Sequence, residues 1–461
     1  MSTFGGKIEE IPHISVDRFD GRNFESEAYF LSHCHTDHMV GLDNWNFQDN
    51  LVKNNKYLYA SDVSRAILKN QFPYLENNIK VLDMYTPTIV VLKNGNISVL
   101  PIPAGHCPGS VMFLFETNTR VLYTGDYRIN KNDIRKLKAF YDSFKQVKAI
   151  EKIYLDTTFF LRSYLKFPKR EESLEELCKI INEWISKGKN YTIKLSTSAR
   201  YGYEYMFNEI YKKTGMPVHV NQAAFELYSI IPEMDNSITV DGCTTQIHCS
   251  CGSSYQYVCN DASTGEMRTI KVSAFRWTQD NLEDGFSSAS SNIYYVCYST
   301  HASYEEGLEL IRFLKPKSVE MCVQHEDPYT NMEIAKLIDE VLQECTPKKE
   351  TDEVGYKLFG FEETKLEAKE EIGFQSDDLG ILDSPPRDTG CSRKRYQKVK
   401  SVALVSCNVE KQLNCDENNA FGFCSLQVKT DEVCDAPVKD LAVPGVGTLA
   451  NIGEPPIKRL K

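Results

Sequence analysis

The sequence predicts an α/β protein of more than one domain, ending in a disordered tail. Three observations carry that prediction. First, strand-like apolar runs repeatedly deliver a His or an Asp at their C-terminal tips: Ile14-Ser15-Val16 ends at Asp17, Tyr29-Phe30-Leu31-Ser32 at His33, Val121-Leu122-Tyr123 leads to Asp126, and Ile153-Tyr154-Leu155 to Asp156. Side chains carried on strand ends are held more rigidly than side chains on free loops, which is how a sheet edge builds a site. Second, the middle third alternates strand-like and helix-like periods. Third, the pattern dissolves after about residue 363 into aperiodic Glu and Lys, Ser384-Pro385-Pro386, the basic run Arg393-Lys394-Arg395 and the ending Pro455-Pro456-Ile457-Lys458-Arg459-Leu460-Lys461. Such a segment cannot bury enough apolar surface to offset its ordering entropy.

The elements follow in order. A helical stretch is expected near Val63–Asn70 and a short strand over Ile79–Leu82. A hairpin series comes next: strand Ile97–Ile102, the loop Ala104-Gly105-His106-Cys107-Pro108-Gly109, strand Ser110–Phe115, a turn at Asn118-Thr119, and strand Val121–Tyr123. Leu174, Leu177, Ile181, Trp184 and Ile185 keep helical spacing, and Gly188 stands where a C-cap belongs. Thr192–Leu195, Val218–Val220, Ile238–Val240 and Ile293–Val296 read as strands, the last leading to His301. Helix Glu305–Phe313, strand Ser318–Val323 and helix Asn331–Gln343 complete the folded part.

The 461 residues suffice for two or three domains, and 41% hydrophobic with 25% charged residues allows a sizeable core. The start, MSTFGGKIEEIPHIS, is acidic and lacks the apolar stretch of a signal peptide, and no apolar run reaches membrane-spanning length. The expectation is a soluble protein, cytoplasmic or nuclear, with no membrane partner. The net charge of −11 gives no support to a broad basic face. It leaves room for a local one, because a bound metal adds positive charge in its own cleft. Fifteen cysteines without a secretory signal read as free thiols or metal ligands.

Only nine histidines occur, yet three fall in His33-Cys34-His35-Thr36-Asp37-His38. Nitrogen and oxygen donors, rather than thiolates, leave a bound metal Lewis-acidic and able to activate water. His33, His35, His106 and Asp126 make one complete ligand set. Asp37 and His38 face a second position, with Asp126 bridging the two. Two adjacent cations, or one cation with an incomplete neighbour, suit phosphoester hydrolysis. Asp17 and Asp156 are placed in sequence to orient the ligands. Cys34 and Cys107 flank ligands but have no dedicated base, and are read as packing residues. A second cluster, His219, His248, Cys249, Cys251 and Cys259, holds the donors of a tetrahedral structural zinc site.

The order His-x-His-x-Asp-His, then His106, then Asp126, resembles the metallo-β-lactamase fold. The later acids and histidines resemble its nucleic-acid-processing branch, which carries an inserted β-CASP domain, and most closely the Artemis-like DNA nucleases. The resemblance is carried by Ser15-Val16-Asp17-Arg18-Phe19-Asp20, Tyr29-Phe30-Leu31-Ser32-His33-Cys34-His35, residues 103–115 around His106, Tyr123-Thr124-Gly125-Asp126, Tyr154-Leu155-Asp156-Thr157-Thr158-Phe159 and Tyr201-Gly202-Tyr203-Glu204-Tyr205. It implies a metallo-β-lactamase αββα sandwich over 1–155 and 301–362, an inserted α/β β-CASP domain over 156–300, and a tail over 363–461 that shows no resemblance. It implies Asp37, Asp126, Asp156 and His301 as the catalytic set. His301, in Tyr298-Ser299-Thr300-His301, acts as general acid toward the leaving oxygen, and Asp156 holds its imidazole. Relatives that cut RNA carry a metal-binding His at the third β-CASP motif. Here that motif falls on Val323, which points to DNA and leaves the second metal position a ligand short. His325 lies two residues on, facing the same way if the strand continues.

The resemblance further implies Zn2+ at the primary site and a weaker second position for Mg2+ or Mn2+. It implies a structural zinc held by His219, His248, Cys251 and Cys259. Ser250 stands where the family has its first Cys, so Cys249 or Cys251 substitutes, and Cys251 leaves the backbone more room to turn. Arg128, Lys194 and Arg200 are the candidates for gripping phosphates; Ser198 replaces the usual family Lys, and Arg200 reaches further and binds bidentately. The expected activity is exonuclease or structure-selective endonuclease cleavage of DNA ends in the nucleus, during double-strand break repair by end joining, leaving 5′-phosphate and 3′-hydroxyl. Partners would be DNA ends and end-joining factors reached through the tail. A DNA-dependent protein kinase would need Ser-Gln or Thr-Gln, and neither dipeptide occurs after residue 362. An RNA-processing β-CASP nuclease is the alternative. A small-molecule ester or thioester hydrolase fits poorly with the large insertion and His301, and a non-enzymatic scaffold fits poorly with an intact ligand set.

Overall fold

The computed structural model describes residues 2–345 except 198, 200, 232, 233, 235 and 250–265. Arg200, Cys251, Cys259 and the predicted tail lie outside the described residues. The chain opens with four short parallel strands: β1 (Ile14–Val16), β2 (Ala28–Phe30), helix α1 (Trp45–Lys53), β3 (Tyr57–Ala60), helix α2 (Asp62–Gln71) and β4 (Ile79–Val81), in sheet order β1-β2-β3-β4. Ser61 caps α2 by accepting from the Ser64 amide.

The second sheet begins with an antiparallel meander, β5 (Thr88–Leu92), β6 (Gly95–Pro103), β7 (Val111–Glu116) and β8 (Arg120–Tyr123). After the short helix α3 (Lys131–Ile134) comes β9 (Lys152–Leu155), parallel to β8. The inserted α/β region then runs through α4 (Arg170–Ile185), β10 (Tyr191–Ser196), α5 (Glu204–Thr214), β11 (Val218–His219), α6 (Gln222–Tyr228), β12 (Ile238–Thr239), β13 (Ile247–Cys249), β14 (Glu266–Ser273), α7 (Gln279–Glu283), β15 (Ser287–Ser290) and β16 (Ile293–Cys297). Its seven strands form one sheet, β12-β11-β13-β10-β14-β16-β15, parallel except for β15. Helix α8 (Tyr304–Leu314), strand β17 (Ser318–Met321) and helix α9 (Pro328–Cys345) return the chain to the second sheet, where β17 pairs with β9.

The strand period of two sorts the core into layers. Phe30, Tyr59, Val99, Phe113, Phe115 and Tyr123 meet between the two sheets. Their neighbours Leu100, Met112, Leu114, Leu122 and Leu155 face α8 and α9. Tyr29, Leu31 and Leu58 face α1 and α2 in a cluster continuous with the core of the insert. This is the αββα sandwich. Two glycines let its motif loops close: Gly125 (φ +51) leaves no room for a Cβ, which would lie 2.8 Å from the Ser32 hydroxyl, and Gly105 (φ +67) lies against the Arg128 carbonyl. Among the described residues no helix is long and apolar enough to cross a membrane.

Candidate metal centre

The ends of β2, β6 and β8 bring His33, His35, His106 and Asp126 together, with one donor atom of each within 4.8 Å of the others. The inward-facing nitrogens are His33 Nε2, His35 Nδ1 and His106 Nε2; His35 Nδ1 is 3.0 Å from each of the other two. Their tautomers follow from what the outer nitrogens touch. His35 Nε2 donates to the Tyr201 carbonyl at 2.8 Å, and His106 Nδ1 to the Thr300 carbonyl at 2.9 Å. The Ser32 hydroxyl gives its proton to Asp17 at 2.5 Å, so it accepts from His33 Nδ1 at 3.0 Å. Three imidazole lone pairs therefore converge on one point. Burial, the leading cause, pushes all three imidazoles down, favouring the neutral form that ligates metal. One proton could bridge one such pair, but not three nitrogens and a carboxylate together. The donor set fits a divalent cation.

Asp126 joins this set to a second one. Its Oδ2 lies 3.6 Å from both His33 Nε2 and His106 Nε2, while its Oδ1 lies 3.2 Å from His38 Nε2. Asp37 Oδ2 is 3.9 Å from His38 Nε2 and accepts the Ser2 amide at 2.7 Å. Burial alone would raise the Asp126 carboxyl; His38 and His301 overturn that and hold it well below the usual carboxylate range. Asp17, at a positive φ of 53°, organises the layer behind. Its two oxygens accept from the Ser32 amide and hydroxyl, the Tyr123 hydroxyl and His38 Nδ1. Engaged in this way, Asp17 holds Ser32 and His38 in place, and with His33 and His38 it also forms a group that could hold a cation.

On the other side of Asp126 stands His301. Its Nδ1 is 2.9 Å from Asp156 Oδ2, and its Nε2 is 3.9 Å from Asp126 Oδ2. Asp156 is held in turn by the Thr158 amide and hydroxyl. Burial works to lower His301, and Asp156 and then Asp126 overturn it and raise the imidazole above its ordinary value. Val323 is buried beside Thr157, whose hydroxyl donates to the Val323 carbonyl at 2.6 Å. His325 belongs to none of the metal-capable groups among the described residues; Asn331 clasps its backbone amide and carbonyl.

The remaining candidates separate. His219 and His248 are buried in neighbouring strands with their Nδ1 atoms 3.0 Å apart. Strand alternation turns Cys249 to the opposite face of the sheet from His248; its Sγ lies 3.9 Å from the Thr197 hydroxyl. Cys251 and Cys259 are outside the described residues. Lys194 is half-buried in β10, in register with His248. The expectation that Arg128 grips phosphate is corrected. Its side chain is 7% exposed, donates to the Ser299 and Pro168 carbonyls at 2.8 Å each, and lies 3.6 Å from Glu306. It locks motif loops together. Burial pushes the Cys34 thiol up to about 12 and Cys107 well above its ordinary range, so neither is a ready thiolate. Sequence reasoning missed Ser32, Tyr123, and the Tyr201 and Thr300 carbonyls. Only the Tyr201-Gly202 dipeptide beside a motif gave a signal: a Cβ at Gly202 (φ +107) would sit 3.6 Å from His35.

The comparisons agree with this fold. Residues 232–326 match the DNA repair metallo-beta-lactamase family, and residues 16–159 match the Anti-Pycsar protein Apyc1 family. The chain is 35% identical over 342 residues to protein artemis of Gallus gallus, covering 69% of this chain and 47% of that one. Protein artemis of Homo sapiens is 35% identical over 343 residues, covering 68% and 48%. DNA cross-link repair 1A protein of Homo sapiens is 28% identical over 319 residues, covering 63% and 29%. The chain thus spans about half the length of the artemis relatives it matches. Sandwich, insert and ligand set together with these matches make the chain similar to the artemis proteins and to the DNA repair metallo-beta-lactamase family.

Proposed function

We propose that the chain is a divalent-metal-dependent DNA nuclease of double-strand break repair by end joining, working in the nucleus on single-stranded, overhang or hairpin ends. His33, His35, His106 and Asp126 would hold a primary Zn2+. Asp37, His38 and the shared Asp126 would hold a weaker Mg2+ or Mn2+. The bound ions supply Lewis acidity and a water acidic enough to attack a phosphodiester at neutral pH. The chain's own residues do the rest. Asp17, Ser32, Tyr201 and Thr300 keep each imidazole in its ligating tautomer. His301 Nε2 gives its proton to the leaving 3′ oxygen, and Asp156 at Nδ1 keeps that imidazole charged and aimed. The products are a 5′-phosphate and a 3′-hydroxyl.

The observation that carries this reading is the His301–Asp156 pair beside the shared carboxylate, because a metal centre alone would serve a small ester equally well. His301→Ala is expected to lower kcat on DNA by about 10²–10⁴-fold, with metal content unchanged. Activity on an activated aryl phosphodiester, whose leaving group needs no proton, should survive. Equal losses on both substrates would remove the general-acid role.

The choice of DNA over RNA is supported by the aliphatic Val323 and by the place of His325 outside the ligand groups. Incubating matched single-stranded DNA, hairpin DNA and RNA with and without chelator tests it; cleavage of RNA alone would overturn it. His219, His248, Cys251 and Cys259 are proposed as a structural zinc site, and end-joining factors as partners of the tail. The absent Ser-Gln and Thr-Gln dipeptides argue against direct kinase control there.

A further inference from the structure

A row of aromatic rings leads from His301 to the surface. The Phe159 ring meets the His301 ring edge to face, centroids 6.0 Å apart. Phe159 is buried, with Phe167 at 5.0 Å and Tyr164 at 4.8 Å packed on its other sides. Its next neighbour outward is Phe275, at 4.8 Å and 54° tilt. Phe275 is 58% exposed. It does not dangle: Ala274 and Trp277 on either side are buried in the same cluster, and the Tyr164 hydroxyl donates to the Phe275 carbonyl at 3.2 Å. Beside it the exposed Arg276 lays its guanidinium 3.8 Å over the Tyr295 ring. The segment after β14 is therefore anchored at 274 and 277 and presents a phenyl face and a cation outward.

We propose that Phe275, with Arg276, is a stacking platform for the nucleobase of an unpaired nucleotide in the strand being cut. The proposal rests on the nuclease reading above. An aromatic face beside a cation is the chemistry that binds single strands, the ring stacking on a base and the cation meeting its phosphate. Every base has such a face, so the contact is tolerant of sequence. A base inside a duplex has both faces covered by its neighbours, so the platform favours nucleotides out of the stack. Phe275 is two ring contacts from His301, with centroid separations of 6.0 and 4.8 Å. A base resting on it thus lies within a few nucleotides of the phosphate that His301 faces.

The test uses the full chain, an uncleavable phosphorothioate single-stranded oligonucleotide, and a series of such oligonucleotides carrying one abasic position each. Phe275→Ala is expected to weaken binding about tenfold, toward the lower end of stacking losses, and Phe275→Trp to restore it. One abasic position should weaken wild-type binding by a similar factor and leave Phe275→Ala unaffected. The abasic series needs no variant, so it stands even if a substitution disturbs folding. Hydrolysis of a base-free aryl phosphodiester should not respond to Phe275. Phe275→Ala binding within twofold of wild type, or a flat abasic series, overturns the platform while leaving the nuclease reading intact. A wild type that neither binds nor cuts DNA overturns both. Loss of a peptide or protein ligand, with DNA binding unchanged, would assign Phe275 to another class of partner and reject the proposal.

Discussion

Asp17 shows how much of the metal centre depends on a residue that need not touch the metal. It fixes Ser32 as a donor toward itself, which makes Ser32 an acceptor for His33, and it also holds His38 Nδ1. Asp17→Asn would place an amide N–H where one of those donors now points. Removing such orienting partners typically costs 10–100-fold in metal affinity, so chelator competition should show a loss of about that size; affinity within twofold of wild type would reject the role. The acid at the strand tip was legible in the sequence, but the relay through Ser32 was not, because a serine before a histidine carries no signal until its partner is known. Glu204 was likewise invisible as a titrating group. It is buried, accepts the Gly202 amide, and burial raises its carboxyl to about 7. The unfolded carboxyl titrates near 4.3. Between those values the folded form holds a proton that the unfolded form has released, so its stabilising contribution is full below about pH 4 and is lost as pH rises through 7. Glu204→Gln removes that titration. Melting curves of the two proteins should converge near pH 4 and separate in favour of Gln at pH 8, by roughly 3 kcal/mol; parallel pH profiles would contradict the assignment.

At the scale of elements, the strong periods were legible and the short ones were not. The spacing of Leu174 to Ile185 lies within α4, and the hairpin series lies within β6, β7 and β8. Strands β3, β5, β13, β14 and β15 and helices α1, α3, α5, α6 and α7 escaped notice. β13 has only Ile247-His248-Cys249 to announce it, and β15 reads Ser-Ser-Ala-Ser, a strand only because it pairs with β16. Arg128 belongs to the same lesson. A basic residue after a motif acid reads as a phosphate contact, yet the three elements meeting there leave two carbonyls and Glu306 to be satisfied, and Arg has the donors to do it. Arg128→Ala would strand those acceptors in a buried place, at a cost of about 3 kcal/mol in urea unfolding. A change under about 1 kcal/mol would return Arg128 to the role of a surface charge.

At the scale of the whole folded part, the metal centre is also the seam between sandwich and insert. His35 and His106 belong to the sandwich, but the carbonyls that set their tautomers belong to Tyr201 and Thr300, in the segments that follow β10 and β16 of the inserted sheet. The Tyr201 hydroxyl reaches back to the Pro108 carbonyl in the His106 loop. This seam could not be read from the sequence, because every residue has a carbonyl and only the fold decides which ones face a histidine. It has a thermodynamic consequence. An ion that fixes three imidazoles also fixes the carbonyls they donate to, so metal binding should stabilise the junction as well as the sandwich. At a free metal concentration 100-fold above Kd, linkage contributes about 2.7 kcal/mol, worth roughly 5 °C in Tm for a domain of this size. Chelation should lower Tm by about that amount, and hydrogen exchange should quicken at amides around 201–203 and 299–302 before it does in the sandwich core. An unchanged Tm after verified removal of the ion, or loosening confined to residues 33–38, would mean that the two halves are held together without help from the metal.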